Sequence, residues 1–328
     1  MGFDDLRVWV LAGLILLAGL SGAGAQEKST AEQTVDVMNK LWGSHAGMRA
    51  NHAKGLVTEG EFTPSEVGKS LSMAGIFAGG TIPVTVRFSN STGLPTLPDG
   101  DRNANPHGMA IRFHQADGTD VDAVTNSLPF FPVKNGDEFR DLLTAVSQSG
   151  PDAPHPTPLE TFIAGHPRVA AAGAGVSTPS SFARETYNGV DAFIFVDAAG
   201  KRQPFRFKIE PFEGDDHLSP DAAKVKSPNF LSEELRARLA KAPASFHLRA
   251  QLANPGDQTA DPTQPWPADR KVVDLGTITI TKVVTNSAAA EKELMYLPAN
   301  LEEGIEQSDD PLIDARNDAY AVSFGRRQ

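Results

Sequence analysis

Residues 48–62 read Met-Arg-Ala-Asn-His-Ala-Lys-Gly-Leu-Val-Thr-Glu-Gly-Glu-Phe and are the most informative run in the chain. The run places His52 between an arginine and a lysine, with Gly60 and Phe62 following. Taken alone, it admits two interpretations: a histidine that is hydrogen-bonded at the start of a strand, or a histidine that does acid–base chemistry. An isolated histidine favours the first, so the surrounding segments must decide between them.

Further polar segments follow this run in a definite order. Val86-Arg87-Phe88-Ser89 comes first, then Asn105–Phe113, and then Asp122–Phe131, which contains Asn126 and leads on to Phe139. Near the end of the chain, Arg316-Asn317-Asp318-Ala319-Tyr320 lies within a helical pattern. An ordered set of motifs is harder to produce by chance than any one of them.

Taken together and in this order, the segments resemble the haem catalases. The resemblance covers most of residues 48–139 and 294–327, is looser at 205–210 and 275–282, and is poor at 148–190. The long amino-terminal arm and the carboxy-terminal helical region of full catalases have no counterpart, so the chain is similar to the small catalase-related peroxidases. Because those regions interlock the catalase tetramer and help to form its NADPH site, the resemblance implies a monomer or homodimer without bound NADPH.

The resemblance implies that Tyr320 is the axial ligand of a non-covalently bound haem b. Arg316 and Tyr320 are four residues apart, which places both side chains on one helix face. A neighbouring guanidinium and a ferric cation both favour the phenolate form of a tyrosine, and tyrosine ligation is known haem chemistry. The alternative is an ordinary exposed pair on a helix.

On the other side of the haem, the resemblance assigns catalytic roles to His52, Asn126 and Ser89. His52 would act as general base and then as general acid on the peroxide, and Asn126 would donate a hydrogen bond to it. Ser89 would bond the second ring nitrogen of His52 and so fix its tautomer. Ser89 could instead be a simple strand serine.

Four further residues match cofactor-binding positions of the family. Arg49, Arg87 and Arg327 match residues that hold the haem propionates, a role suited to bidentate guanidinium groups. Each could instead be a surface arginine, and Arg326 adjoins Arg327. Phe139 would pack on the porphyrin face, although a core phenylalanine would show the same pattern.

Three departures from the family pattern favour peroxidase activity over the dismutation of hydrogen peroxide. Asn51 replaces a valine before the histidine, His107 replaces an arginine, and Ala321-Val322-Ser323-Phe324 replaces Pro-Asp-Thr-His. We expect easier access for bulky peroxides and organic electron donors. Two rival functions remain: the isomerisation or cleavage of fatty-acid hydroperoxides on the same scaffold, and non-catalytic haem binding by an exported protein.

Composition limits the other functional classes. The chain has 328 residues, 40% of them hydrophobic and 22% charged, with a net charge of −11. The acidic balance argues against nucleic-acid binding, which needs a basic face. The absence of cysteine excludes disulfides, thiolate ligands and a covalently attached c-type haem. No His-Glu-x-x-His motif occurs, so a zinc hydrolase is not favoured.

The first 25 residues predict a leader peptide. Arg7 precedes the apolar run Val8–Leu20, and small residues then end in an Ala-x-Ala pattern at Ala25. We expect cleavage after Ala25, export to the periplasm, no stable membrane insertion afterwards, and a single domain over residues 26–328. The alternative is an uncleaved anchor, although the apolar run is shorter than the roughly 20 residues of a spanning helix.

The remaining patterns predict an α+β fold built on a closed antiparallel β-barrel of about eight strands, with inserted and carboxy-terminal helices. Six β-rich runs are separated by turn residues: Ile82–Ser89, Gly108–His114, Ala192–Ala198, Pro204–Glu210, Phe246–Ala253 and Val272–Val283. Helices are predicted at Thr30–Trp42, after a cap at Ser65, and at Gly136–Ser147, Pro158–Gly165, Ser232–Ala240 and Pro311–Gly325.

Overall fold

The computed structural model of the protein describes residues 27–327, so the predicted leader peptide lies outside the described residues. Within them the strands are β1 (Gly55–Pro64), β2 (Ile82–Asn90), β3 (His107–His114), β4 (Asp120–Asn126), β5 (Thr178–Pro179), β6 (Tyr187–Asn188), β7 (Phe193–Val196), β8 (Arg202–Pro211), β9 (His217–Leu218), β10 (Ala244–Leu252), β11 (Val272–Val283) and β12 (Ile305–Gln307). The α-helices are α1 (Thr30–Trp42), α2 (Glu66–Leu71), α3 (Gly136–Ser147), α4 (Pro158–Gly165), α5 (Pro167–Gly175), α6 (Pro220–Lys224), α7 (Phe230–Leu239), α8 (Ser287–Glu293) and α9 (Pro311–Arg327).

Eight strands form a closed antiparallel barrel. They follow the order β10-β11-β1-β2-β3-β4-β6-β8, and the pairing of β8 with β10 closes the sheet. Strands β7 and β12 extend the sheet beside β8, and β5 pairs with β9 separately. The predicted α+β class and the barrel of about eight strands are therefore confirmed.

The barrel interior is filled by apolar side chains from alternate strand positions, as the two-residue period of a strand requires. Phe88 of β2 lies at its centre and is fully buried. Its ring centroid is 5.4 Å from that of Phe182, 5.9 Å from that of Tyr187 and 6.2 Å from that of Phe246. This aromatic group joins β2, β6 and β10 across the interior.

Gly60 lies beside a bulge in β11, where Thr281 has no register partner on β1. The β1–β11 pairing shifts register between Glu59 and Gly60. A Cβ atom at residue 60 would lie 2.2 Å from the carbonyl oxygen of Thr279, so only glycine permits this close approach. Two residues later, Phe62 is fully buried and meets the ring of Phe113 edge-on at 5.1 Å.

Most of the predicted elements are observed. Helices α1, α3 and α4 have the predicted bounds, Ser65 caps α2, α7 begins at Phe230, and α9 continues past Gly325 to Arg327. The six predicted strands are β2, β3, β7, β8, β10 and β11. The sequence patterns do not predict the barrel strands β1, β4 and β6 or the helices α5, α6 and α8.

Helices cover the outer face of the barrel. Helix α1 packs against α3 and α9, and α8 packs against β1. A small apolar cluster joins α1 to α3 and includes Val35, Met38, Ala50 and Leu143. Within residues 27–327, no helix has the length and apolar character that a membrane span requires.

Replacing Phe88 with alanine should destabilise the protein by about 3–5 kcal/mol, because the substitution leaves a cavity inside a closed barrel. The measurement is the free energy of unfolding in urea. Phe212→Ala is the control, because that phenylalanine is 52% exposed, and its effect should be below about 1 kcal/mol. Equal effects of the two substitutions would contradict the assigned core.

Candidate functional site

Four barrel strands bring a row of predicted site positions together on one face. Gly55 of β1 opposes Ser89 of β2, Ser89 opposes Gly108 of β3, and Gly108 opposes Asn126 of β4. Directly opposed residues point to the same face of a sheet, which here is the outer face of the barrel. The two glycines contribute no side chains, so space remains on either side of Ser89.

His52 lies in this space. Its Nδ1 atom is 3.0 Å from the Ser89 hydroxyl oxygen. A Cβ atom on Gly108 would lie 2.9 Å from the Ser89 hydroxyl and 3.3 Å from His52 Nδ1, so glycine at residue 108 gives the histidine ring its room. The structure thus brings Ser89 and His52 together in the arrangement expected from the sequence.

The electrostatic surroundings keep the His52 ring neutral. Burial, together with the positive charges of Arg87, Arg316 and Arg49, lowers the pKa of His52 to about 3. When the Ser89 hydroxyl oxygen accepts a hydrogen bond from Nδ1–H, Nε2 carries a free lone pair. A neutral imidazole with this tautomer can accept a proton.

The Asn126 amide is oriented by the backbone that follows it. Its Oδ1 atom accepts a hydrogen bond from the backbone N–H of Leu128 at 2.7 Å. The amide nitrogen Nδ2 is therefore the free end of the side chain and can donate to a ligand. Asn126 lies in the same row as Ser89, two strands away.

Three arginines, Arg49, Arg87 and Arg327, lie near the row of Ser89 and Asn126. They contact helix α8 or Leu294, the residue that follows it. Arg87 donates to Glu291 Oε2 from Nε at 3.0 Å and from Nη2 at 2.6 Å. Arg49 Nη1 lies 3.6 Å from the same carboxylate oxygen. Arg49 and Arg327 both donate to the carbonyl oxygen of Leu294. The predicted cofactor-binding arginines are therefore neighbours, although they are far apart in sequence.

This arginine cluster carries more positive charge than its own carboxylate balances. Burial, together with the charge of Arg87, lowers the pKa of Arg327 to about 10. Burial and the charges of Arg87 and Arg327 likewise lower the pKa of Arg49. Arg327 Nε is buried without a hydrogen-bond partner among the described residues. Unused donors and excess positive charge suit a ligand that carries carboxylates.

Helix α9 holds the second half of the predicted site. Arg316 donates from Nε to the Tyr320 phenol oxygen at 3.2 Å, and its Nη1 group pairs with the buried carboxylate of Asp191. Although burial lowers the pKa of Arg316, the charge of Asp191, the contact with Tyr320 and the charge of Asp310 together outweigh it and raise the pKa above its ordinary value. The guanidinium beside the phenol oxygen is therefore firmly charged.

Two more buried residues with ionisable side chains, Asp310 and Arg206, lie close to the Arg316–Asp191 ion pair. Burial, together with the charge of Asp191, raises the pKa of Asp310 to about 7. Burial also raises the pKa of Asp191, against the opposing charges of Arg316 and Arg206. Asp191 Oδ1, Asp310 Oδ2 and Arg206 Nε are buried without hydrogen-bond partners in the part of the chain that the structure describes.

The two halves of the site are joined directly. Ser323, one helical turn after Tyr320, accepts a hydrogen bond from the backbone N–H of Ala50 at 3.1 Å. Ala50 is two residues from His52, and the charge of Arg316 acts on the His52 ring. Sequence reasoning missed the roles of Asp191, Glu291 and Ser323, because none of them lies at a motif position with an assigned function.

Phe139, Asn51 and His107, which the sequence also singles out, do not belong to the row of Ser89 and Asn126 or to the arginine cluster. Phe139 packs in the small cluster with Val322, and its ring centroid is 5.3 Å from that of Phe131. Asn51 Oδ1 accepts a hydrogen bond from the backbone N–H of His52 at 3.0 Å. His107 is fully buried on the opposite face of β3 from Gly108, and neither ring nitrogen has a partner among residues 27–327. The roles of all predicted site residues stay predictions.

These residues fit a haem better than a metal bound by side chains alone. Within residues 27–327, no group of three histidine, cysteine, aspartate or glutamate side chains could hold a metal ion. A single phenol oxygen suits a metal that a porphyrin already holds on four sides. The arginine cluster with excess charge suits the two propionates of that porphyrin. The fold and site thus define a barrel protein suited to haem.

Comparisons with known proteins agree with this class. The family model described as catalase matches residues 32–327, so the chain belongs to the catalase family, which implies a haem cofactor. The chain is 35% identical to a catalase-related peroxidase of Mycolicibacterium paratuberculosis, over 91% of this chain and 95% of the relative. It is 29% identical to a catalase-related peroxidase of Synechococcus elongatus, over 97% of this chain and 94% of the relative.

Longer catalases match over part of their length. A catalase of Pseudomonas syringae is 30% identical over 83% of this chain but only 56% of the relative. The crystal structure of a fungal catalase superposes with a TM-score of 0.75 at 19% identity, over 100% of this chain and 66% of that chain. A bacterial catalase structure superposes with a TM-score of 0.74 at 22% identity, over 98% of this chain and 67% of that chain. These two structures show that the fold is shared.

The raised pKa of Asp310 predicts a pH-dependent loss of stability. Between about pH 4 and pH 7 the unfolded chain has an ionised Asp310 while the folded protein keeps the proton, so the free energy of unfolding falls as the pH rises. Asp310→Asn should remove this decrease, which amounts to at most about 4 kcal/mol. Urea unfolding at pH 4.5 and 7.5 measures it. The exposed Asp309→Asn should retain the wild-type dependence; identical profiles for all three proteins would refute the assignment.

Proposed function

We propose that the protein is a haem-dependent peroxidase. It reduces hydrogen peroxide or organic hydroperoxides with organic electron donors and has weak or no catalase activity. The observation that carries the proposal is the neutral His52 ring, held by Ser89 beside an arginine cluster and joined through Ser323 to the helix of Tyr320. The names of two relatives that match over more than nine-tenths of this chain, both catalase-related peroxidases, support it.

The cofactor in this proposal is haem b, bound without covalent attachment because the chain has no cysteine. Tyr320 would ligate the haem iron, and Arg316 would donate a hydrogen bond to its phenol oxygen. Arg49, Arg87 and Arg327 hold the propionates, and Phe139 packs on the porphyrin. No bound NADPH is expected, and the proposed assembly is a monomer or homodimer.

When bound, the haem supplies an iron centre that takes oxidising equivalents from peroxide and passes them to an organic donor. His52 Nε2 accepts the proton of the nearer peroxide oxygen and returns it to the leaving oxygen, so that water departs from hydrogen peroxide and an alcohol from an organic hydroperoxide. Asn126 Nδ2 donates a hydrogen bond that orients the peroxide. Ser89 holds the His52 tautomer throughout, because its hydroxyl oxygen accepts a hydrogen bond from the Nδ1–H group.

The preference for peroxidase activity over dismutation rests on residues around the site. The polar Asn51 lies directly before His52, and the four residues after Tyr320 depart from the catalase pattern. We propose that these changes favour bulkier peroxides and organic donors. We also propose that the leader peptide at residues 1–25 exports the protein to the periplasm and is cleaved after Ala25.

Replacing His52 with alanine should lower kcat/KM for hydrogen peroxide by about 10²- to 10⁴-fold, because the general acid–base is lost. Haem binding should be unchanged, since His52 is not an iron ligand in this proposal. Steady-state oxidation of a phenolic or dye donor measures the first effect, and haem titration measures the second. His114→Ala, a partly exposed histidine on β3, is the matched control.

Three outcomes would contradict the proposal. Rapid dismutation of hydrogen peroxide without oxidation of any donor would favour a catalase. Conversion of a lipid hydroperoxide in the absence of a donor would favour the isomerase or lyase. Haem binding without peroxide chemistry, unaffected by His52→Ala, would favour a haem-binding protein that is not an enzyme.

A further inference from the structure

We propose that Glu291 is a positioning residue for His52 and acts through Arg87. The inference rests on the proposed function and extends it to a residue on α8 that no motif of the sequence includes. Glu291 touches neither His52 nor Ser89, so its effect on the reaction is indirect.

A continuous chain of hydrogen bonds links the two residues. Glu291 Oε2 accepts from Arg87 Nε at 3.0 Å and from Arg87 Nη2 at 2.6 Å. The same Nη2 group donates to the backbone carbonyl oxygen of His52 at 2.7 Å. The side chains of Arg87 and Glu291 are only 5% and 14% exposed, so solvent replaces these bonds poorly. The carboxylate therefore fixes the plane of the guanidinium that holds His52.

The backbone of His52 needs such support. In residues 27–327, His52 is the only residue other than glycine with a positive φ, at 56°. The Cβ atom of any residue other than glycine makes this left-handed conformation unfavourable. The conformation persists only where the surrounding structure enforces it. Asn51 Oδ1 holds the N–H of His52, and Arg87 holds its carbonyl group. Together they aim the imidazole at Ser89.

Two contacts confine the Arg87 guanidinium, the backbone at Gly55 and the carboxylate of Glu291. A Cβ atom on Gly55 would lie 2.4 Å from Arg87 Nη2, so the guanidinium packs directly against the backbone there. Of the carboxylates in the described part of the chain, Glu291 is the one paired with Arg87. Without that carboxylate, the guanidinium would turn toward other acceptors and weaken its bond to the His52 carbonyl.

The test compares Glu291→Gln, which removes the charge at similar shape, with Glu291→Asp, which keeps the charge on a shorter side chain. Glu293→Gln is the matched control, because it removes one carboxylate from the exposed end of the same helix. In haem-loaded protein, Glu291→Gln should lower kcat/KM for hydrogen peroxide and the association rate of cyanide by about tenfold each, as expected for one lost charge-assisted hydrogen bond. Both rates depend on proton acceptance by His52.

The other readouts should separate positioning from cofactor binding. Glu291→Gln should leave the haem affinity and the KM for the donor within about twofold of wild type. The peroxide and cyanide rates of Glu291→Asp should lie between those of Glu291→Gln and wild type. In haem-free protein, hydrogen exchange of the peptide that contains His52 should be faster in Glu291→Gln than in Glu293→Gln, because the left-handed turn opens more often.

Several results would overturn the proposal. One is weaker haem binding of Glu291→Gln with unchanged peroxide and cyanide rates at full haem occupancy. That result would limit the role of Glu291 to the arginine cluster and to cofactor binding. Another is unchanged hydrogen exchange at His52. If Glu291→Gln does not fold, wild-type rates in Glu291→Asp would contradict the proposal, and intermediate rates would support it. If wild-type protein shows no peroxide chemistry, the proposed function fails, whereas hydrogen exchange in haem-free protein still tests the link to His52.

Discussion

The register of β1 to β4 is the constraint on which the candidate site depends. It places Ser89 and Asn126 on the outer face of the barrel, with Gly108 between them, while Phe88 and its neighbours fill the interior. A slip of one residue would exchange the two faces and turn Ser89 into the core. The packing of Phe88 against three other aromatic rings makes such a slip costly, so the core fixes the geometry of the site.

Buried charges then fix the side chains that the register brings together. Arg87 with Glu291, and Arg316 with Asp191, are nearly inaccessible ion pairs. Pairs of this kind contribute little net stability, because both partners lose their hydration, but removing one partner leaves a costly unpaired charge. Their consequence here is geometric: one pair holds the backbone of His52, and the other holds a guanidinium against the phenol oxygen of Tyr320.

Sequence patterns predicted the barrel, the bounds of three helices and the pairing of Arg316 with Tyr320, because period and spacing determine these locally. They missed β4, since its run Asp-Val-Asp-Ala-Val-Thr-Asn is rich in residues typical of turns, and only pairing with β3 makes it a strand. They missed Asp191 and Glu291, which are 125 and 204 residues from their arginine partners. Contacts at such separations depend on tertiary packing, which no local pattern encodes.

We propose that Tyr320 and His52 lie on opposite sides of one haem, and the absorption spectrum of the haem-loaded protein is the decisive measurement. With this arrangement we expect a high-spin ferric spectrum of the tyrosinate type with one haem per chain. Tyr320→Phe should abolish that spectrum, whereas His52→Ala should preserve it. A protein that takes up no haem, or a spectrum that is unchanged by Tyr320→Phe, would rule this arrangement out.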